Sequence, residues 1–563
     1  LFCSNPAVNF LSSSGAHRRP EARQLLAVRL ADIAQSSLNR RYRQISQVLA
    51  SHGLGFFISR FGLTRFVPLR WLFSRAYDES TSRPEHVRQS LEELGATFIK
   101  LGQILSTRAD LLPAEYQVEL SKLQDAAPPI RGQDIEAIVS AELGRPVNQV
   151  FGSFDLAPIA AASIGQVHAA TLLDGTAVAV KVQRPGVAEQ IEQDLQILNR
   201  LAGTLTRRWS VAAEYDVVGI VNEFAETLRG ETDYVREGRN AERFAENFRA
   251  DPTVHFPRVY WDTTSRRVLT LERISGIKID DLPALDAAGF DRPEIARRIS
   301  ALIMKMIFRD AFYHADPHPG NFFVQPDGRL GVVDFGMVGT VDQRMQDQLV
   351  WSLAAVTGDD PERWVDVLFD LGVAGPNVNR TTLRRDIQNL RARYYGRPVG
   401  QIAVRPAIND GLAVVRRHHL QLPPGHALLA KTVGMHEALV QRLDPSFDFT
   451  AALLPYARTM IVQHFSPAFW LRTGRQATLD LARLGAELPQ ALHRLLGIVQ
   501  RGDLELALRP TGIEPLLRRI ERMANRLVLG LMTSAFVLAM AVLIFAFHQR
   551  GDPLLAAVLL AGF

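Results

Sequence analysis

Cysteine is almost absent from this 563-residue chain: Cys3 stands alone, which excludes an internal disulfide and any cysteine-ligated metal site. Lysine is nearly as scarce. Of 64 lysines and arginines, only Lys100, Lys122, Lys181, Lys278, Lys305 and Lys431 are lysine, so each invites the question of what an arginine would not do there. Charge of one sign is also missing. The net +5 gives no support to a nucleic-acid partner. Apolar residues make up 47% of the chain, the globular average, which excludes a disordered or collagen-like protein. The length allows several domains and a cleft between lobes.

Residues 1–40 read as a loose basic tail. Their one apolar run, Leu25 to Ile33, is broken by Arg29 and Asp32 and lacks a signal-peptide cleavage pattern. From Tyr42 to Trp71 apolar residues at helical spacing are interleaved with Arg60, Arg65 and Arg70, with Arg75 beyond. That pattern suits an anionic lipid surface or a solvated helix face. Helical character continues over 85–125, and a further helix from Gly132 to Leu143 stops at Gly144 and Pro146.

Strand character then begins with Val167 to Leu172, a turn at Asp174-Gly175, and Thr176 to Val182. Alternation sends Val178, Val180 and Val182 to one face and Ala177, Ala179 and Lys181 to the other. Lys181 is thereby carried on a rigid strand beside small residues that leave room for a flat group. Helices follow over Ala188 to Arg207 and Glu214 to Ala250, strands near Val254 to Tyr260 and Val268 to Leu271, and a connector from Glu272 to Lys278 leads into a helix-rich second half. Two lobes with a ligand cleft between them are expected.

Leu527 to Phe547 is a 21-residue stretch without a charge, long enough to span a bilayer core. Arg518, Arg519, Arg522 and Arg526 precede it, and after it Arg550 is the only arginine or lysine before a second apolar run, Leu554 to Phe563. The expectation is a transmembrane helix, with a truncated second span or an interfacial tail after it and the large domain on the cytoplasmic side.

The chemistry is concentrated in His314-Ala-Asp316-Pro-His318-Pro-Gly320-Asn321, followed by Asp334-Phe335-Gly336. Phosphoryl transfer from ATP needs an Asp at the acceptor oxygen, an Asn and a second Asp as oxygen ligands for Mg²⁺, and a Lys on the phosphates. Asp316, Asn321, Asp334 and Lys181 have that order and spacing. Phe322 to Gln325 and Arg329 to Val333, turned at Pro326 to Gly328, form a hairpin that returns Asp334 to Asn321. A His-x-x-x-His metal site at His314 and His318 lacks a third ligand nearby. Lys181 requires a carboxylate from a helix of its lobe, which Glu231, Asp233 or Glu237 could supply. Glu237 is favoured, with Glu231 left open. Where a kinase has a glycine-rich loop this chain has Ala160-Ala161-Ala162-Ser163-Ile164-Gly165, whose Cβ atoms should stiffen it and alter nucleotide handling.

From Tyr42 to the C-terminus the sequence resembles the UbiB family of atypical protein-kinase-like proteins, which includes AarF and the coenzyme Q kinases or ATPases. It carries that family's K-x-G-Q motif as Lys100-Leu101-Gly102-Gln103, the alanine-rich loop at 160–163, and the E-x-D motif as Glu231-Thr232-Asp233. The resemblance implies that the Lys100 to Gln103 helix packs over the cleft, with Lys100 meeting Glu231 and Asp233 and protein substrates blocked. It also implies ATPase activity in isoprenoid-quinone biosynthesis or lipid homeostasis.

The expected fold class is α+β, a two-lobed, helix-rich protein-kinase-like fold with an N-terminal helical extension and C-terminal transmembrane segments. Its parts are a tail over 1–40, an extension over 41–150, a nucleotide-binding lobe over 151–275, a helical lobe over 276–510 and a basic juxtamembrane and membrane segment over 511–563. ATP should lie near Ala161, Ala162, Ser163, Ala179, Lys181, Glu272 and Ile274, with Mg²⁺ at Asn321 and Asp334, Asp316 as the catalytic carboxylate, and Lys181 with Glu237 as the nucleotide pair. Lys100, Gln103, Glu231 and Asp233 should occlude or regulate. Expected partners are an anionic bacterial membrane, a quinone precursor or other lipid-like molecule, and quinone-biosynthesis proteins. A small-molecule phosphotransferase of the aminoglycoside or choline kinase type and an ATP-gated scaffold are the alternatives.

Overall fold

The computed structural model describes residues 36–55, a few positions of 58–63, and residues 83–108, 111–123, 129–208, 216–349, 378–394 and most of 404–459. All of them fall in the first of the chain's two units, Leu1–Ser466.

The chain enters through α1 (36–51), α2 (Arg83–Leu94), α3 (Ala96–Thr107) and α4 (Ala114–Leu120). Gly95, at φ 91°, separates α2 from α3, because that backbone conformation costs glycine alone nothing. Helix α5 (Gly132–Leu143) ends on a left-handed Gly144, the expected stop signal. Strands β1 (Phe151–Ala161), β2 (Gly165–Leu172) and β3 (Ala177–Gln183) follow, then α6 (Val187–Arg208), α7 (Val217–Glu231), α8 (Tyr234–Asn247), β4 (Val254–His255) and β5 (Val268–Glu272). β1, β2, β3 and β5 make one antiparallel sheet in that order. Val178, Val180 and Val182 are fully buried against Ile135 and Val139 of α5. The opposite face of β3, with Ala179 and Lys181, is left to the cleft.

Beyond the connector lie β6 (Ile277–Lys278), α9 (Arg292–Phe308), β7 (Phe312–His314), β8 (Phe322–Val324), β9 (Leu330–Val332) and β10 (Val338–Thr340). Helices α10 (Arg380–Tyr394), α11 (Val404–Arg417) and α12 (Pro424–Leu443) come after them. β8 and β9 pair antiparallel with Phe322 opposite Val332, so the residues flanking this hairpin, Asn321 and Val333, come together. The second lobe closes on an aromatic core in which Phe244 of α8 stacks with Phe256 and meets Phe312 and Phe335. One helix thus serves both lobes.

Arg41 ties the N-terminal helices to the nucleotide lobe. Its guanidinium donates to the two carboxylate oxygens of Asp194 on α6 at 2.7 and 2.9 Å and to the Leu94 carbonyl at 2.7 Å, and Asp194 is fully buried. Removing one member strands a buried charge, so Arg41→Ala should cost about 3–5 kcal/mol. The check is the urea midpoint, and an unchanged midpoint would show that α1 is not anchored through this pair.

One part of the expected fold class is corrected. Among the described residues no helix is long and apolar enough to cross a membrane. The longest, α6 and α12, carry charges along their length, Glu192 and Arg200 in one and Lys431, Glu437 and Arg442 in the other. The transmembrane segments are therefore withdrawn from the fold, and 527–547 itself lies outside the described residues, as do the tail to residue 35, Arg60, Arg65, Arg70 and Arg75, and 511–563.

A second difference concerns the alanine-rich loop. β1 was hidden because this edge strand is largely solvent-facing, contains Pro158 and is bulged, so it lacks the alternation that marks a strand. It runs through Ala160 and Ala161, which pair with Val167 and Gln166. No residue from 160 to 165 has a positive φ, so these alanines are extended and unstrained.

Candidate active site

A cleft of about 1470 Å³ separates the β1–β3 and β5 sheet from the β8–β9 hairpin and α12, with α3 along one side. It is larger than the 300–1,000 Å³ typical of small-molecule sites. Five of the six lysines, Lys100, Lys122, Lys181, Lys278 and Lys431, line it, whereas Arg273 is the only arginine among its described lining residues.

On the sheet side Lys181 Nζ donates to both oxygens of Glu237 at 2.8 and 2.9 Å and lies 3.7 Å from Asp334. Helix geometry decides between the two candidate glutamates. Asp233 caps α8, accepting from the Val235 and Arg236 N–H groups, so the run 214–250 is two helices rather than one. Glu231, the last residue of α7, turns to Lys100, whose Nζ lies 3.1 Å from it. Glu237, one turn into α8, is buried beneath Lys181. Burial alone would depress the Lys181 ammonium, but Asp334 and Glu237 outweigh it and hold the pKa well above its ordinary value. Lys181 in turn holds the Asp334 carboxyl down at about 2. Burial pushes Glu237 up against the pull of Lys181.

Tyr234, the first residue of α8, sets its ring 5.2 Å from Lys181 Nζ. A Cβ at Gly165 would run into the Tyr234 hydroxyl, so the one glycine of the alanine-rich segment admits a side chain of its own lobe. Gly102 has a comparable part in α3: a Cβ there would strike Leu123 and Leu91, and Gln103 donates to the Leu123 carbonyl at 3.2 Å. These contacts seat α3 against α2 and the end of α4, and leave Lys100 facing Glu231.

On the opposite wall, His314 is buried within the aromatic core. Its Nδ1 accepts from the Asp316 N–H at 3.2 Å, so its Nε2 is the atom that donates to the Val333 carbonyl at 3.4 Å. His318 caps the short turn at Pro319–Asn321 by accepting from the Gly320 N–H. His314 gives both ring nitrogens and His318 its Nδ1 to shaping the loop, and among the described residues no cluster of three or more His, Cys, Asp or Glu could hold a metal alone. Asn321 donates Nδ2 to the Asp316 carbonyl at 3.1 Å, which leaves its Oδ1 as a ligand oxygen. Asp334, at φ 62°, turns back toward Lys181, while Phe335 is fully buried and its carbonyl accepts from Asn240 at 3.0 Å. An amide oxygen and an ionised carboxylate suit Mg²⁺, which takes few protein ligands and fills the rest with phosphate oxygens and water.

The cleft is lined by Ala162, Ala179, Lys181, Glu272 and Ile274, but not by Ala161 or Ser163; Ser163 is buried. Glu272 accepts from the Arg258 N–H and pairs with His255, so its carboxylate serves the connector. Gln103, Lys100 and Glu231 line the cleft, and Asp233 does not. Sequence reasoning missed Lys431, whose Nζ lies 3.5 Å from Asp316 Oδ1. Its only signal was its rarity.

Residues 122–368 match the model of the ABC1 atypical kinase-like domain, 387–448 that of the UbiB helical domain, and 511–563 that of the ABC1/UbiB kinase-like C-terminal domain. A protein of Xanthomonas axonopodis named probable protein kinase UbiB is 34% identical over 84% of this chain and 86% of its own length. The chain belongs to the UbiB family. An uncharacterized Synechocystis protein is 36% identical over 84% of this chain and 83% of itself, and a Marinobacter nauticus protein named probable protein kinase UbiB is 34% identical over 76% and 80%. A solved Mycobacterium tuberculosis protein in complex with erythromycin shares 27% identity over 64% of this chain and 92% of its own, at a TM-score of 0.46. UbiB membership supports a phosphoryl-transfer enzyme of atypical-kinase type and implies ATP as its nucleotide.

Proposed function

We propose that this UbiB-family protein is a Mg²⁺-dependent ATPase or atypical kinase of a bacterium. It acts from the cytoplasmic side on the handling or modification of isoprenoid-quinone precursors, and favours ATP hydrolysis over protein phosphorylation. The observation that carries the reading is the joint presence of the closed Lys181–Glu237 pair at 2.8 Å and of α3, paired through Lys100 to Glu231 at 3.1 Å, on one cleft. The first arrangement suits nucleotide; the second narrows the approach for a folded protein substrate.

The steps follow from the side chains. The connector near Glu272 and Ile274 and the small Ala179 take the flat base, and Lys181, held by Glu237, orients the inner phosphates. Asp316 accepts the proton of a water or hydroxyl as its oxygen bonds to the terminal phosphorus. The bond from that phosphorus to the bridging oxygen breaks, and ADP leaves with the electron pair. Asn321 and Asp334 are the residues that would hold Mg²⁺, whose contribution is to neutralise charge on the phosphate oxygens.

Incubation with γ-labelled ATP and Mg²⁺ tests this. Released phosphate should exceed labelled protein, and anionic vesicles or a quinone-like phenol should raise the rate. Label accumulating mainly on protein, or release indifferent to both additions, would overturn the reading.

A further inference from the structure

We infer that Lys431 is a further phosphoryl-contacting residue, which rests against Asp316 and moves onto the terminal phosphate when ATP binds; the inference rests on the nucleotide reading above. The catalytic loop from His314 to Asn321 contains no lysine or arginine. Asp316 must nevertheless sit beside a second anion, the phosphoryl group, and beyond the Mg²⁺ that Asn321 and Asp334 would hold, a cation on the Asp316 side of that group lowers the repulsion between them. The other cleft cations near the motif residues are engaged, Lys181 with Glu237 at 2.8 Å and Lys100 with Glu231 at 3.1 Å.

Lys431 is placed to supply the missing charge. Its Nζ is 3.5 Å from Asp316 Oδ1, long for a hydrogen bond between charged groups and so a contact that can be exchanged. Its base does not move with it. The next residue, Thr432, is fully buried, and its hydroxyl lies 2.9 Å from the Leu428 carbonyl and 3.3 Å from the carbonyl of Ala315, the neighbour of Asp316. Helix and catalytic loop are therefore held in register one residue from each charged group. Around Lys431 the cleft-lining positions of α12 are the small Ala427, Ala430, Gly434 and Ala438, with Met435 the one long side chain among them, and a Cβ on Gly434 would meet nothing within 4 Å. The side chain has room to swing while its helix is packed into the core through Leu429, Leu439 and Val440.

A contact to the terminal phosphate separates ATP from ADP, which a packing role cannot do. Calorimetric titration of the full chain with Mg²⁺ and either ADP or the non-hydrolysable imido analogue of ATP reads it directly. Lys431→Met should weaken the triphosphate analogue about tenfold and leave ADP within about twofold, and Lys431→Arg should restore most of the difference. Equal weakening of both nucleotides, or no change in their ratio, would overturn the inference. If the wild-type chain binds both and Asp334→Asn weakens both while Lys431→Met leaves the ratio alone, the inference fails and the nucleotide reading stands. If the wild-type chain binds neither, both fail.

Discussion

Asp316→Asn should lower the rate of phosphate release by about 10²–10⁴-fold, the usual contribution of a positioned general base. The substitution keeps the size of the side chain and the loop's shape, because the loop is built from other atoms. His314 Nδ1 takes the Asp316 backbone N–H, Asn321 takes the Asp316 backbone carbonyl, and neither uses the carboxylate. KM for ATP should therefore move little while kcat falls, the pattern of an interaction made in the transition state. A fall in kcat of less than tenfold would remove Asp316 from the mechanism.

Glu237→Gln is the second large effect, expected at about 10²-fold in kcat/KM, from loss of a buried charge-assisted pair. The side chain is 3% exposed and gives both oxygens to Lys181. Without that charge the ammonium keeps Asp334, now 3.7 Å away, as its strongest partner and closes on it, taking an oxygen that Mg²⁺ needs. Glu231→Gln is the internal control. It breaks the Lys100 pair at 3.1 Å and leaves Lys181 untouched, so its effect on ATP affinity should be small. Equal losses in the two variants would show that the helix break at Asp233 does not divide their roles.

Much of this site could be read from the chain because its chemistry is local. Asp316 to Asn321 is a single turn, and the β8–β9 hairpin that returns Asp334 is a short-range structure with a plain turn signal. The valines of β3 fixed which way Lys181 faces, since a period of two allows no other assignment. β1 was not legible, because it is an exposed edge strand whose pairing with β2 depends on no apolar alternation. The choice between Glu231 and Glu237 depended on the Asp233 cap, which ends one helix axis and starts another. Lys431 was out of reach for a different reason: it meets Asp316 from 115 positions away, a distance over which no spacing rule operates.

The near-confinement of lysine to the cleft makes primary-amine chemistry unusually informative for this protein. Lys305, the one exception, is tied to Asp310 at 2.8 Å and to the Asn247 carbonyl. An acylating reagent that on most proteins scatters over the surface would here fall mainly on the walls and rim of one cavity, and nucleotide would shield Lys181 among its targets. The same holds for cellular acyl donors. Acetylation of ε-amino groups, commonly a diffuse surface mark, would on this chain fall chiefly on the exposed lysines at the rim of one cavity, Lys122 and Lys278.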